Sequence, residues 1–538
     1  MFDLCVIGGG PAGIITALEY ARKRPESKIA LVEYGGPQQS ASNSLDDSIT
    51  INSRNHHQPY DITVKGLGGT SATWGGRCVD YDHIDFADRE VLGGNCTWDE
   101  RIRDEYRPYL KQAAAYFECG EPLFSTEEIS EYGGRRIAEH FRQGPVTDTV
   151  VERYSMPTRF GVRYAEELRS RGVELLSGYE GRGLVTAPDG GRVTALTIRN
   201  VATGKERELN AGQFIIATGA QESTRMLLRN PQVFDRLEGV PHALGRYYQS
   251  HISGKIAAVD FYGDPAKTDY GFVRDKDGAY VRRRLQFTEA FLQEHKLLNT
   301  AFWLDNPPHS DAAHRSGPLS FIYLAMITPG LGKKLAPPTI AHSITKGVVR
   351  DVPGHLKNVV GGLPQSLTTP ASIFYRRYLR KRKLPGIFLY NPRNHYALHF
   401  HAEQLPAEKN RMQLEEDGET LRIDYSFTNT DLDSIIRSHE ALDEWLRACN
   451  CGELTYYYPR ERRAEEITEM SIDGVHQNGT TRIGASAQEG VVDRNLKVFG
   501  TDNLYVCSSS AFPTSGQANP TFLLGTFAVR LADHLSRQ

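Results

Sequence analysis

Apolar residues open the chain in a pattern whose period changes. Leu4 to Ile7 form an unbroken, partly β-branched run, Ile14, Leu18 and Ala21 recur at helical spacing, and Ile29 to Val32 form a second short run ending in Glu33. Short runs bounded by glycine predict buried strands, and a spacing of three to four predicts a helix. Residues 1–35 therefore predict strand, turn, helix, strand. A strand-to-helix junction recurs twice. Phe214 to Ala217 predict a buried strand before the Gly219 turn and a helix in "QESTRMLLRN"; near the C-terminus "NLYVCSS" predicts a strand and "NPTFLLGTFAVRLADHL" a helix apolar around most of its circumference. Such a helix is expected to be buried. "GVELLSG" and "GRVTALTIRN" predict two strands of a small antiparallel layer, "RDEYRPYLKQAAAYF" an amphipathic helix, and "HYALHFHAEQ" a strand that places His399 and His401 on one face. No internal repeat is visible.

The first junction carries a nucleotide fingerprint. Gly8, Gly10 and Gly13 form G-x-G-x-x-G around Pro11 and Ala12; the absent side chains allow a tight turn, approach of a pyrophosphate and close helix–strand packing. Glu33, about twenty residues further on, is placed to accept hydrogen bonds from an adenosine ribose. This predicts a dinucleotide site, and the unit alone does not separate NAD from FAD. The stretch "GLGGTSATWGGRC", with Gly69, Thr70, Ser71, Thr73, Trp74 and Gly75, is too rich in glycine for a helix interior or a central strand. It predicts a loop whose amides face a ligand.

The predicted fold class is α/β, α+β overall. A discontinuous Rossmann-like domain is expected from residues 1–84, 151–249 and 462–538. Residues 85–150 and 250–461 would supply covering helices and a substrate-binding domain with a mainly antiparallel sheet. At 538 residues, with 39 % hydrophobic and 24 % charged positions, the composition is that of an ordered, folded protein. A net charge of −3 gives no electrostatic reason to expect nucleic acid. The chain enters "MFDLCVIGGG" without a basic segment and contains no apolar run of membrane-spanning length, which predicts a cytoplasmic protein. Seven cysteines without ligand spacing indicate buried or free thiols. The basic run "YRRYLRKRKLPG", residues 375–386, reads as a solvated helix face, with an anionic substrate group or a membrane surface as alternatives.

Two polar residues near the end of the chain are candidates for chemistry. His476 in "HQNGTTRIG" has an intrinsic pKa of about 6.5, suited to taking a proton near neutral pH. Asn519 in "SGQANPT" offers a neutral amide donor, and also stands where an N-cap precedes Pro520. Thr514, Gln517 and Thr521 border the same stretch as candidate substrate or cofactor contacts. His251, His395, His399 and His401 fall in the second domain as packed or solvent-facing residues, and no metal is expected.

Six motifs in order, "VIGGGPAG" with Glu33, "GLGGTSATWGG", "FIIATGAQESTRMLL", "HQNGTTRIG", "GVVDRNLKVFGTDNLYV" and "FPTSGQANPT", resemble the glucose–methanol–choline (GMC) flavoprotein oxidoreductases over nearly the whole chain. The glycine-loop Trp and the His-then-Asn pairing look most like the pyranose 2-oxidase and sugar-dehydrogenase branch. The resemblance implies FAD, with its ADP half held by Gly8, Gly10, Gly13 and Glu33, its adenine by the backbone near Val185, and its pyrophosphate and flavin by the 66–76 loop together with Ala217, Gly219, Ser509, Pro520 and Thr521. It also implies His476 as the catalytic histidine and Asn519 as its partner. Thr73 occupies the position at which pyranose 2-oxidases attach FAD through a histidine, so non-covalent FAD is expected. Ser508 stands where many members carry an Asp, which leaves that pyrophosphate contact open. The implied function is oxidation of a sugar, glycoside or cyclitol alcohol, with O2 or another electron acceptor. Oxidation of a primary alcohol in a biosynthetic intermediate, non-redox lyase chemistry within the same family, and a flavin-stabilised binding protein are the alternatives.

Overall fold

In a computed structural model, residues 1–36, 48–328, 330, 345 and 349–538 are described. The three predicted junctions converge in one parallel sheet. Across it run Val173–Ser177, Ile29–Glu33, Phe2–Ile7, Glu206–Ile216 and Leu504–Val506. The registers Cys5↔Ala30, Cys5↔Phe214 and Phe214↔Leu504 bring three segments that are distant in sequence into one layer. Strands buried on both faces need continuous apolar runs, which is why these three were legible. The helix Pro11–Lys23 packs between this sheet and the C-terminal helix Pro520–Ser536. Phe522, Phe527 and Val529 of the latter are fully buried, as its all-round apolar pattern predicts.

One strand differs from expectation. "GVELLSG" is not part of the antiparallel layer: Val173–Ser177 pairs parallel with Ile29–Glu33 at the sheet edge. The antiparallel layer is instead Tyr179–Thr186, Val193–Asn200 and the first half of Glu206–Ile216. An edge strand with one solvated face alternates as an antiparallel strand does, so the local pattern does not separate them. The predicted helix over "RDEYRPYLKQAAAYF" is also broken, into Ile102–Tyr106, a 3-10 turn at Arg107–Tyr109, and Leu110–Phe117. Pro108 explains the break, because it lacks an amide hydrogen and its ring clashes with the preceding turn. These pieces lie against the C-terminal helix, with Tyr106 and Phe117 buried.

A second sheet is wholly antiparallel, in the order Gly452–Tyr456, His251–Phe261, His395–Glu403, Thr300–Asp305, Leu285–Phe287 and Val146–Thr147. Strand alternation divides its faces. Phe302, Leu398 and Phe400 belong to a core shared with Ile435, Leu442 and Leu446 of the helix Asn429–Ala448. The opposite face carries Trp303 across from His399, and His401, which share one side as predicted. A smaller sheet, Val273–Arg274, Tyr280–Arg283, Val151–Tyr154 and Arg77–Cys78, ties the end of the glycine loop to this region.

The basic run is only partly solvated. Arg377 Nη1 donates to the carbonyls of Leu384 and Pro385 at 3.0 and 3.1 Å, and Arg382 Nη1 to those of Glu118 and Tyr154 at 2.9 and 3.2 Å. Arg380, Lys381 and Lys383 are exposed. Among the described residues no helix is long and apolar enough to cross a membrane.

Candidate active site

The three strand-to-helix junctions open on one cavity of about 570 Å³. Helices Pro11–Lys23, Gly219–Arg229 and Pro520–Ser536 all begin there without a side-chain cap. Their first amides are thus unclaimed by side chains, and three helix dipoles present positive ends to one space. That suits an anion such as a pyrophosphate. The glycines act differently from one another. A Cβ on Gly13 would lie 2.0 Å from the Gly8 carbonyl oxygen, and one on Gly8, whose φ is +105°, would lie 2.5 Å from that of Ala217. A Cβ on Gly10 would meet nothing within 4 Å, because it would project into the cavity. Gly8, Gly10, Pro11, Ala12, Glu33, Gly69, Thr70, Ala217, Gly219, Ser509, Pro520 and Thr521 all border this space, as does Gln477, which the sequence pattern did not single out.

Glu33 has a further task. Its Oε2 accepts from Gly9 N at 2.7 Å, and its Oε1 from Gly35 N and Gly66 N at 2.9 Å each. It therefore clamps the glycine turn to the glycine loop, and one oxygen keeps a lone pair free for a hydroxyl. Burial raises its pKa, although the three amides oppose this.

Several expected contacts do not reach the cavity. Val185 pairs with Ala195 further along its strand, and the residues of that strand that line the cavity are Tyr179 to Arg182. Trp74 donates from Nε1 to Thr158 O at 2.9 Å and packs on Phe117 and Phe160, anchoring its loop. Ser71 Oγ donates to Gly68 O and accepts from Phe160 N. Thr514 accepts from Trp98 Nε1 and donates to Asp85 O, both within the buried interior. Thr73 and Gly75 are exposed, the former donating to Thr70 O. Ser508, in the place of the family's Asp, accepts from Ser510 N and borders the cavity.

His476 and Asn519 do meet. Asn519 Nδ2 lies 2.7 Å from His476 Nε2. With an amide hydrogen donated to Nε2, the imidazole carries its proton on Nδ1, which faces Asp473 Oδ2 at 3.8 Å. Asp473 Oδ1 is fixed by Gly474 N and Val475 N at 2.7 and 2.9 Å. Burial lowers the His476 pKa, Asp473 raises it and Arg77 lowers it, with a net shift downward. The ring is therefore neutral near neutral pH and can accept a proton.

Two more histidines close on it. The His251 ring stacks on His401 at 4.1 Å and meets His476 edge-on at 4.9 Å, and His401 lies 5.6 Å from His476. Both have pKa values driven well down, first by burial. His251 comes from a different strand, so no local pattern links it to His476. Ligand atoms of His251, His401, Asp473 and His476 all lie within 4.8 Å of one another, a spacing that could hold a metal ion. Competing claims weigh against one: Gln517 O takes His401 Nδ1, Asn519 takes His476 Nε2, and the Arg77 charge lies within electrostatic reach. Gln517 is buried, with its Nε2 donating to Asp82 Oδ2 at 2.7 Å. Its Oε1 accepts from Nη2 of the buried Arg284, so it links His401 to that arginine.

An "FAD dependent oxidoreductase" family model matches residues 3–298, and a "GMC oxidoreductase" model matches residues 406–528. The chain is 26 % identical over 150 residues to 2-methyl-1,2-propanediol dehydrogenase of Mycolicibacterium austroafricanum, a match covering 27 % of this chain and 26 % of that one. It is 24 % identical over 291 residues to an alkyl hydroperoxide reductase polypeptide of Pseudomonas putida, covering 49 % and 54 %. These matches span a quarter to about half of those relatives' lengths. Pyridoxine 4-oxidase from Mesorbium loti superimposes with a TM-score of 0.56 at 17 % identity over 100 % of both chains. A fungal aryl-alcohol oxidase gives 0.52 at 15 % over 100 % of this chain and 99 % of that one. At such identities the superpositions establish a shared fold. The chain belongs to the FAD-dependent oxidoreductases, as a member of their GMC family.

Proposed function

We propose that this flavoprotein oxidises an alcohol to a carbonyl, with His476 as general base and Asn519 as the group that holds the substrate oxygen. The observation that carries this reading is the 2.7 Å contact between His476 Nε2 and Asn519 Nδ2. Two groups that hydrogen-bond to each other are aligned to share one oxygen. A substrate hydroxyl entering between them donates to Nε2 and accepts from Nδ2. The imidazole is neutral and takes the hydroxyl proton, while the amide remains a donor as charge grows on that oxygen.

The cavity fits FAD by its own features: three uncapped helix N-termini, the open face of Gly10, and a Glu33 lone pair. The glycine turn would hold the pyrophosphate, Glu33 the ribose, Tyr179 to Arg182 the adenine end, and Gly69 and Thr70 the flavin half. Held there, FAD would supply the hydride-accepting chemistry that the side chains lack. We infer non-covalent attachment, because among the described residues the cavity lining contains no histidine and one cysteine, Cys507, whose pKa is pushed up to about 12 by burial. The likeness to the pyranose 2-oxidase branch favours a sugar, glycoside or cyclitol as substrate.

An anaerobic screen of these alcohols for bleaching of the bound flavin tests the reading. Bleaching is expected, and repetition in air with peroxide detection separates O2 from another acceptor. Turnover with the flavin still oxidised would contradict the reading and mark lyase chemistry.

A further inference from the structure

Three guanidinium groups crowd one buried carboxylate next to the histidine cluster. Arg77 Nε and Arg282 Nη2 lie 2.6 and 2.5 Å from the two oxygens of Glu152. Arg284 has no such partner: it is fully buried, and among the described residues no carboxylate lies within ion-pair distance of it. Its Nη2 donates to the neutral side chain of Gln517. Arg284 Nε and Nη1 and Arg77 Nη2 are left without an acceptor among the described residues. The acidic groups facing the three arginines are Glu152, Asp82 through Gln517, and Asp305 on the Arg282 side, the last already paired with Lys255 at 2.7 Å, so positive charge is in excess. Burial, and next the Arg77 charge, pull the Arg284 pKa down to about 10. Burial also opposes ionisation of Glu152, yet Arg282, Arg77 and Arg284 hold its pKa at about 2.

The cluster adjoins the histidines through a continuous set of contacts. Arg77 sits 4.4 Å over the Trp303 ring, Trp303 lies 5.8 Å from His401, and His401 lies 5.6 Å from His476. Gln517, which holds Arg284, also holds His401 Nδ1 through its carbonyl at 2.8 Å. A buried guanidinium with open donors is costly unless an acceptor completes it. The planar fork of arginine matches a carboxylate or a phosphate.

We propose that Arg77 and Arg284 form an anion subsite, and that the alcohol oxidised at His476 carries a carboxylate or phosphate group. This rests on the alcohol-oxidation reading and narrows it from neutral polyols to acids or phosphate esters of them. Arg282 is engaged by Glu152, whose other oxygen faces Arg77, whereas Arg284 and Arg77 offer the free hydrogens. The three consecutive arginines of "VRRRLQF" were the sequence signal, since a strand that buries three arginines needs three partners.

The test compares matched alcohols in anaerobic flavin reduction: D-glucuronate and glucose 6-phosphate against D-glucose, and 4-(hydroxymethyl)benzoate against its methyl ester. An anionic member is expected to show a KM lower by about 10- to 100-fold. Arg284→Gln should erase that difference with little effect on the limiting rate, and Arg77→Gln should act in the same direction if Arg284→Gln fails to fold. Binding is read separately, by perturbation of the flavin spectrum and of Trp303 fluorescence on titration with benzoate and with inorganic phosphate, and is expected to weaken equally in Arg284→Gln. The carboxylate and phosphate arms distinguish the two sources of the oxyanion. Neutral alcohols that react as well as charged ones, or an Arg284→Gln variant slowed alike on both, would overturn the subsite and leave alcohol oxidation standing. Saturable anion binding that depends on Arg284 without flavin reduction by any alcohol would uphold the subsite and remove the oxidation reading.

Discussion

Asn519 stands immediately before the C-terminal helix, yet its side chain turns away from the helix amides to meet His476, with Nδ2 2.7 Å from Nε2. An asparagine in this place ordinarily caps the helix, a contribution of about 1 kcal/mol. Here the amides stay open toward the cavity and the side chain joins the histidine. One residue therefore couples two requirements of the site: an uncapped dipole facing the cofactor space, and a donor beside the base.

The glycine turn separates cofactor binding from folding. Gly10→Val places its branches in open space, so it is expected to leave the melting temperature nearly unchanged while FAD affinity falls by about tenfold or more. Gly13→Ala places Cβ 2.0 Å from the Gly8 carbonyl oxygen and should lose folded protein. Thermal melts with and without added FAD, and flavin content after gel filtration, check both.

The pH dependence follows from the shift at His476. Burial disfavours its charged form, so its pKa lies below the ordinary value. A base must be unprotonated, so flavin reduction should be full above that pKa and lost as pH falls through it. Asp473 raises the pKa, and Asp473→Asn should move the acid limb to lower pH. A limb that stays in place would limit Asp473 to a structural role. Rate–pH profiles of the two proteins measure this directly.

Attachment of the cofactor has its own outcome. The Thr73 hydroxyl donates to the Thr70 carbonyl, and the Cys507 thiol is held protonated by burial. Acid precipitation should therefore release free FAD into the supernatant. Flavin fluorescence retained on the precipitated chain would show a covalent link.

Much of the parallel sheet was legible because Leu4 to Ile7, Ile29 to Val32 and Phe214 to Ala217 are apolar runs closed by glycine or acid, a local signal. Val173–Ser177 was misassigned because its pairing with Ile29–Glu33 is set by tertiary placement. The His476–Asn519 contact was reachable through family likeness alone, since no local pattern brings a loop and a helix start together. The roles of His251 and of the excess charge at Arg284 lie in neighbours from other strands, so the sequence marked their positions, the latter by three consecutive arginines, without their partners. Thr514 was expected near substrate because of its position in a motif, but Trp98 and Asp85 occupy its hydroxyl. Glu33 shows the reverse case, in which an expected ligand contact also holds two glycine segments together.

The division of labour in which His476 takes the substrate proton and Asn519 holds the oxygen is read by stopped-flow reduction of the bound flavin by an active alcohol under anaerobic conditions. His476→Ala should keep FAD and lose about 10²- to 10⁴-fold in the reduction rate, with Asn519→Ala losing about 10²- to 10³-fold. A His476→Ala protein that retains FAD and is reduced at the unaltered rate would refute His476 as the base.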